Sequence, residues 1–170
     1  EYDKLIIATG SLPIIIPVPG HKLAGVLTYR DLDDVQAMLL AAKSRGSAVV
    51  IGGGLLGLEA AAGLKEQGMD VTVVHLAPTL LDRQLDPTAG HLLQRAVEAR
   101  GIKVLTKANT KAILGEKMGE AVLLEDGTRL PADLVAGCEF VTSGTLHRPT
   151  GSEGSVQLQA RTTPPENTDL

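Results

Sequence analysis

The stretch Ala48-Val49-Val50-Ile51-Gly52-Gly53-Gly54-Leu55-Leu56-Gly57-Leu58-Glu59-Ala60-Ala61-Ala62-Gly63 decides how this chain folds. Its first four residues are an apolar, β-branched run of the length of a buried strand. Gly52, Gly54 and Gly57 then satisfy a G-x-G-x-x-G spacing. From Leu55 to Gln67 the chain is rich in Leu, Ala, Glu and Lys, which favour a helix, and Gly68 closes it. Val71-Thr72-Val73-Val74 reads as the next buried strand. Strand, glycine turn, helix and strand form a βαβ unit, and each glycine has its own task in one that holds a dinucleotide. Gly52 makes the tight turn, Gly54 lets the backbone approach a pyrophosphate, and Gly57 lets the helix sit close to the strand. The helix N-terminus offers unpaired N–H groups to the phosphates. Gly52, Gly53, Gly54, Leu55, Leu56 and Gly57 are therefore candidate cofactor-binding residues, the alternative being a purely steric turn.

Outward from this unit the pattern remains α/β. Upstream, Asp31 caps a helix to about Lys43, with Leu32, Val35, Leu39 and Leu40 on one face. Ala24 to Thr28 is a short strand candidate. Before it, Pro13, Pro17 and Pro19 forbid a central strand and leave an extended segment lying across another surface. Tyr2 to Gly10 is a strand ending in a Thr-Gly turn. Downstream, residues 76–85 have no clear period and read as a loop over the nucleotide end of the sheet. Asp86-Pro87 starts a helix through Arg100 with Leu92, Leu93, Ala96 and Val97 inward, and Ile102 to Leu105 is a third parallel strand. Three short strands follow, at 110–114, 121–124 and 128–130, the last two joined by the hairpin signal Asp126-Gly127. Asp133-Leu134-Val135 begins another buried strand, and from about Thr142 the composition turns polar and Gly/Pro-rich. The expected fold is a Rossmann-like parallel sheet flanked by helices, with a small antiparallel β-meander and a disordered C-terminal tail.

Composition narrows the function. With 16 basic against 20 acidic residues the net charge is −4, and there is no basic cluster, which excludes nucleic acid as a partner. Aromatic residues make up 2% and Trp is absent, so stacking platforms for bases are missing too. One cysteine, Cys138, allows neither an internal disulfide nor a cysteine metal site and fits a reducing compartment. His21, His91 and His147 share no metal-ligand spacing, so no metal site is expected. The apolar runs are too short to span a membrane, and neither a starting Met nor a signal peptide is present. A cytoplasmic fragment is the expectation.

The segment Tyr2-Asp3-Lys4-Leu5-Ile6-Ile7-Ala8-Thr9-Gly10-Ser11, taken with the glycine run, resembles the FAD-dependent pyridine-nucleotide-disulfide oxidoreductases. Val73-Val74-His75-Leu76-Ala77-Pro78-Thr79-Leu80-Leu81-Asp82-Arg83-Gln84-Leu85-Asp86 looks closest, within them, to the NAD(P)H-dependent nitrite reductase large subunit. The resemblance covers roughly residues 1–135. It implies an NAD(P)H-binding domain over residues 31–140 and a fragment of the FAD-binding domain over 1–30. Residues 141–170 are left as a disordered or foreign tail. It implies that Thr9 and Gly10 approach FAD in a complete parent, a strand-ending turn being the equal alternative. It also implies that Glu59 helps to orient the nicotinamide ribose, beyond its favourable place on the first turn of the helix. Siroheme, an iron–sulfur cluster and the FAD-binding domain would belong to missing parts of the parent.

His75 departs from the pattern, because NAD binders place Asp or Glu at the end of this strand, against the ribose 2′-OH. A neutral imidazole hydrogen-bonds a ribose hydroxyl and a protonated one meets a 2′-phosphate. A mere polar strand end is the third possibility. NADH is favoured because no Arg follows the strand directly. The implied activity is hydride transfer from the nicotinamide to FAD, with no side chain here acting as acid, base or nucleophile. Alternatives are an NADH oxidase or ferredoxin/rubredoxin reductase of the same superfamily, or a non-catalytic nucleotide-binding module.

Overall fold

The computed structural model describes Pro13, residues 16–44 and 46–138, and the strands Gly144–His147 and Gln157–Ala160. In chain order its elements are β1 (Val26–Thr28), α1 (Leu32–Ala42), β2 (Ser47–Ile51), α2 (Leu55–Glu66), β3 (Asp70–Val74), α3 (Pro87–Ala99) and β4 (Lys103–Leu105). They continue with β5 (Thr110–Leu114), β6 (Ala121–Leu124), β7 (Arg129–Pro131), β8 (Leu134–Gly137), β9 (Gly144–His147) and β10 (Gln157–Ala160). Two compact units result, residues 12–140 and residues 1–11 with 141–170.

The larger unit is built on a parallel sheet in the order β1-β8-β2-β3-β4. Side chains of a strand alternate between faces, and here both faces are buried. From β2, Ala48 and Val50 pack with Ala60, Ala61 and Leu64 of α2 and Met38 and Ala42 of α1. Val49 and Ile51 point the other way, to Ile113, Val122 and Leu124 of an antiparallel sheet in the order β5-β6-β7. The three layers are thus helices, parallel sheet and meander. The proline-rich segment lies across the meander layer, where Ile113 N–H donates to the Pro19 carbonyl at 2.8 Å and Ile16 and Val18 join that core.

Several local expectations change. β1 lies within the 1–30 segment assigned to a flavin-domain fragment, yet it is the edge strand of this parallel sheet, paired with β8 from Val26 opposite Val135 to Thr28 opposite Gly137. On α1 the inward residues are Met38 and Ala42, while Leu32, Leu39 and Leu40 are exposed. This helix is apolar nearly all round, so its period alone does not choose a face. On α3, Leu93 and Val97 turn inward with Gly90, but Leu92 and Ala96 are exposed. The close approach of α3 to the 76–85 segment decides this, since a Cβ on Gly90 would lie 2.9 Å from Thr79 Cβ.

In the smaller unit, β9 and β10 pair antiparallel, Gly144 opposite Ala160 and His147 opposite Gln157. These strands fall in the stretch expected to be disordered; backbone pairing here does not follow composition. The rest of that tail lies outside the described residues.

Candidate functional site

The strand order reverses at β2: β3 and β4 lie to one side, β8 and β1 to the other. Open α/β sheets bind ligands at the carboxyl ends of the strands at such a switch point. The glycine run stands there, directly after β2 and before α2.

Each glycine is required for a different reason. Gly52 has φ 120°, which L side chains rarely adopt, and its N–H donates to Val74 O at 2.9 Å, turning the chain off the strand. A Cβ on Gly57 would run into the Gly52 carbonyl oxygen, so Gly57 sets how closely α2 approaches β2. On Gly53, a Cβ would lie 2.7 Å from both His75 Cγ and Leu80 Cδ2. A Cβ on Gly54 would meet no protein atom within 4 Å. Gly52 thus answers to its backbone torsion, Gly53 and Gly57 to neighbouring protein groups, and Gly54 to open space.

Gly54 is also the N-cap of α2 and supplies no capping side chain. The first intrahelical bond runs from Leu58 N–H to Gly54 O at 3.0 Å, so the N–H groups of Leu55, Leu56 and Gly57 precede the helix ladder. These donors, at the positive end of the helix dipole and beside an open Gly54, fit an anionic phosphate group.

His75 does not stand alone at the end of β3. The Gly53 N–H donates to His75 Nδ1 at 3.0 Å. An imidazole nitrogen that accepts must be bare, so the neutral ring carries its proton on Nε2. Nε2 then donates to Asp82 Oδ1 at 3.1 Å. A protonated ring would turn an Nδ1–H against the Gly53 N–H, so the geometry fits an uncharged imidazole donating to the Asp82 carboxylate. The His75 side chain is 11% exposed and that of Asp82 39%.

The 76–85 loop is fastened to the glycine turn. Leu81 N–H donates to Gly53 O at 3.0 Å, so both backbone polar groups of Gly53 are used. Leu80 is wholly buried, and Leu81 adopts φ 51°, a conformation costly for a branched side chain. Asp82 and this anchoring were missed in the sequence. The one signal was the apolar pair Leu80-Leu81 inside a loop with no clear period.

Glu59 occupies the fifth position of α2, because the helix starts at Leu55 and its first turn holds no acidic residue. The helix-dipole argument therefore loses force, since the effect fades beyond the first turn. Glu59 lines a shallow groove with Tyr29, Val35, Leu39 and Gln67. There, partial burial and then the Glu59 charge hold the Tyr29 hydroxyl above its usual range, with Cys138 a smaller cause. Cys138, next to the end of β8, is buried; burial and then the Asp34 carboxylate push its thiol up to about 12. Glu59 thus faces the β1–β8 side and His75 with Asp82 the β3 side of the glycine turn. Thr9 and Gly10 lie outside the described residues.

His21 Nδ1 is hydrogen bonded to Val18 O at 2.9 Å, an ordinary loop contact. Among the described residues no three His, Cys, Asp or Glu side chains gather to hold a metal ion, and no helix is long and apolar enough to cross a membrane.

The nitrite reductase [NAD(P)H] of Bacillus subtilis is 53% identical over 79% of this chain and 17% of its own length. The large subunit of the nitrite reductase [NAD(P)H] of Klebsiella oxytoca is 38% identical over 98% of this chain and 18% of its own, an alignment that extends into the C-terminal segment. A ferredoxin reductase structure from Rhodopseudomonas palustris superposes with a TM-score of 0.73 at 33% identity, over 76% of this chain and 32% of that one. The chain thus spans less than a fifth of the length of these curated relatives. The model of the pyridine nucleotide-disulphide oxidoreductase family matches residues 1–148, and with the parallel sheet and glycine turn described above the chain belongs to that family, whose redox groups are NAD(P)H and FAD.

Proposed function

We propose that this chain is the NAD(P)H-binding portion of a flavoprotein oxidoreductase of the nitrite reductase large-subunit type, passing hydride from the nicotinamide to FAD. The observation that carries the reading is Gly54: a Cβ there would meet no protein atom within 4 Å, beside the uncapped N–H groups of α2. In this reading Gly52, Gly53 and Gly54 shape the turn, and the N–H groups of Leu55, Leu56 and Gly57 receive the pyrophosphate. Glu59, on the β1–β8 side, orients the nicotinamide ribose, while His75 serves the adenosine side through its contacts with Gly53 and Asp82. The bound nucleotide supplies a hydride. The protein's own work is placement, and no side chain need transfer a proton.

The identity with the Bacillus subtilis protein supports the nitrite reductase reading over the other branches. Thr9 and Gly10 contact FAD in this reading, with the flavin domain lying before β1 and the nucleotide domain running from β1 to residue 140. Siroheme and an iron–sulfur cluster would be held elsewhere in the whole protein. A ferredoxin reductase is the second reading, favoured by the superposition on the Rhodopseudomonas palustris structure.

Calorimetric titration with NADH and with NADPH tests the site. Saturable binding of either, abolished in Gly54→Val, is expected. A folded protein that binds neither would remove the nucleotide assignment. Electron delivery from NADH to nitrite by the whole protein, against delivery to a ferredoxin, separates the two enzyme readings.

A further inference from the structure

We propose that Asp82 recognises the adenosine ribose hydroxyls and sets a preference for NADH over NADPH, with His75 as its positioning residue. The inference deepens the nucleotide-binding reading above and rests on it. In a βαβ dinucleotide site the end of the second strand carries a carboxylate that accepts from the ribose 2′-OH and repels a 2′-phosphate. Here that strand, β3, ends at Val74, and the next residue is His75. His75 cannot take the task itself. Its Nδ1 is occupied by the Gly53 N–H at 3.0 Å and its Nε2 by Asp82 Oδ1 at 3.1 Å.

Asp82 is seven residues further on, yet the loop brings its carboxylate to this point. It is the more exposed of the pair, at 39% against 11%, and His75 engages only one of its oxygens. The second oxygen remains to accept from a ligand hydroxyl. The approach is rigid: Leu80 is wholly buried, and Leu81 is held at φ 51° with its N–H on Gly53 O at 3.0 Å. Strained backbone of this kind persists only where its surroundings enforce it. The chain between His75 and Asp82 is thus tied to the same Gly53 that shapes the phosphate turn. Arg83, the neighbouring cation, is exposed and, among the described residues, is tied by no hydrogen bond or ion pair. The anchored charge at the end of β3 is therefore negative.

The test is calorimetric titration of the protein with NADH and NADPH, in wild type, Asp82→Asn and Asp82→Glu. Asparagine keeps an oxygen for His75 Nε2–H and removes the charge. In Asp82→Asn, NADH should weaken by roughly ten- to a hundredfold, the usual size of a lost hydrogen bond to a charged group, while NADPH weakens not at all or tightens. Asp82→Glu should retain the preference for NADH. Equal weakening of both coenzymes would make Asp82 a loop anchor only, and unchanged affinities would remove it from the site; either result overturns the proposal while the wild type still binds. A wild type that binds neither coenzyme would overturn the nucleotide site itself and this inference with it.

Discussion

Gly54 and Gly57 sit three residues apart in one turn, and the structure predicts opposite consequences for filling them. Gly57→Ala gains about 1 kcal/mol of helix propensity. Against this, the new methyl meets the Gly52 carbonyl, and overpacking costs about 1–3 kcal/mol. The obstacle is backbone, which cannot swing aside as a flexible side chain does, so the cost belongs at or above the upper end of that range. A net loss of about 2 kcal/mol lowers the melting temperature by roughly 4–8 °C for a unit of this size. Gly54→Val faces no neighbour within 4 Å, at a backbone of φ −82°, ψ −174° that branched residues accept. The unfolded chain loses entropy worth about 0.4–1 kcal/mol, which offsets a poorer N-cap of about the same size, so the fold is left nearly unchanged. Its branched side chain instead fills the space assigned to the pyrophosphate. Thermal melts followed by circular dichroism, paired with NADH titrations, read both effects. Gly57→Ala should melt early; Gly54→Val should melt normally and fail to bind. A Gly54→Val protein that bound NADH as the wild type does, or a Gly57→Ala protein that melted with it, would refute the reasoning.

Other positions give further tests. Thr110 Oγ1 is buried and, among the described residues, has no hydrogen-bond partner; Thr110→Val should raise stability by about 1 kcal/mol, read as a higher urea midpoint at constant slope. The Asp31 side chain accepts from Asp33 N–H and Asp34 N–H, both at 3.0 Å, in a capping box; Asp31→Ala should cost about 1 kcal/mol, visible in the same assay. Cys138 is buried, with a thiol moved from 9.0 up to about 12. A raised folded-state value stabilises fully below 9.0 and is lost as pH climbs towards 12, so the urea midpoint should hold below 9.0 and fall from there upward. Cys138→Ala should flatten that decline, and an equal decline in both proteins would clear Cys138 of it.

What the sequence alone determined was local in origin. The strand-turn-helix-strand at Ala48 to Val74 was legible because periodicity, helix formers and glycine spacing agree within one short stretch. The caps at Asp31 and Asp86 and the hairpin at Asp126-Gly127 were legible for the same reason. Tertiary structure decided what depends on distant partners. Leu32, Leu39 and Leu40, read from the sequence as sharing one apolar face, are exposed, since α1 presents apolar residues on most of its circumference and only the position of the sheet selects Met38 and Ala42. β1 joins the parallel sheet through β8, more than a hundred residues away in the chain, a pairing that no short-range pattern carries. The role of His75 was beyond the sequence for the same reason. Its residue type left three uses open, and the hydrogen bonds to Gly53 and Asp82 exist only once the loop folds back onto the glycine turn.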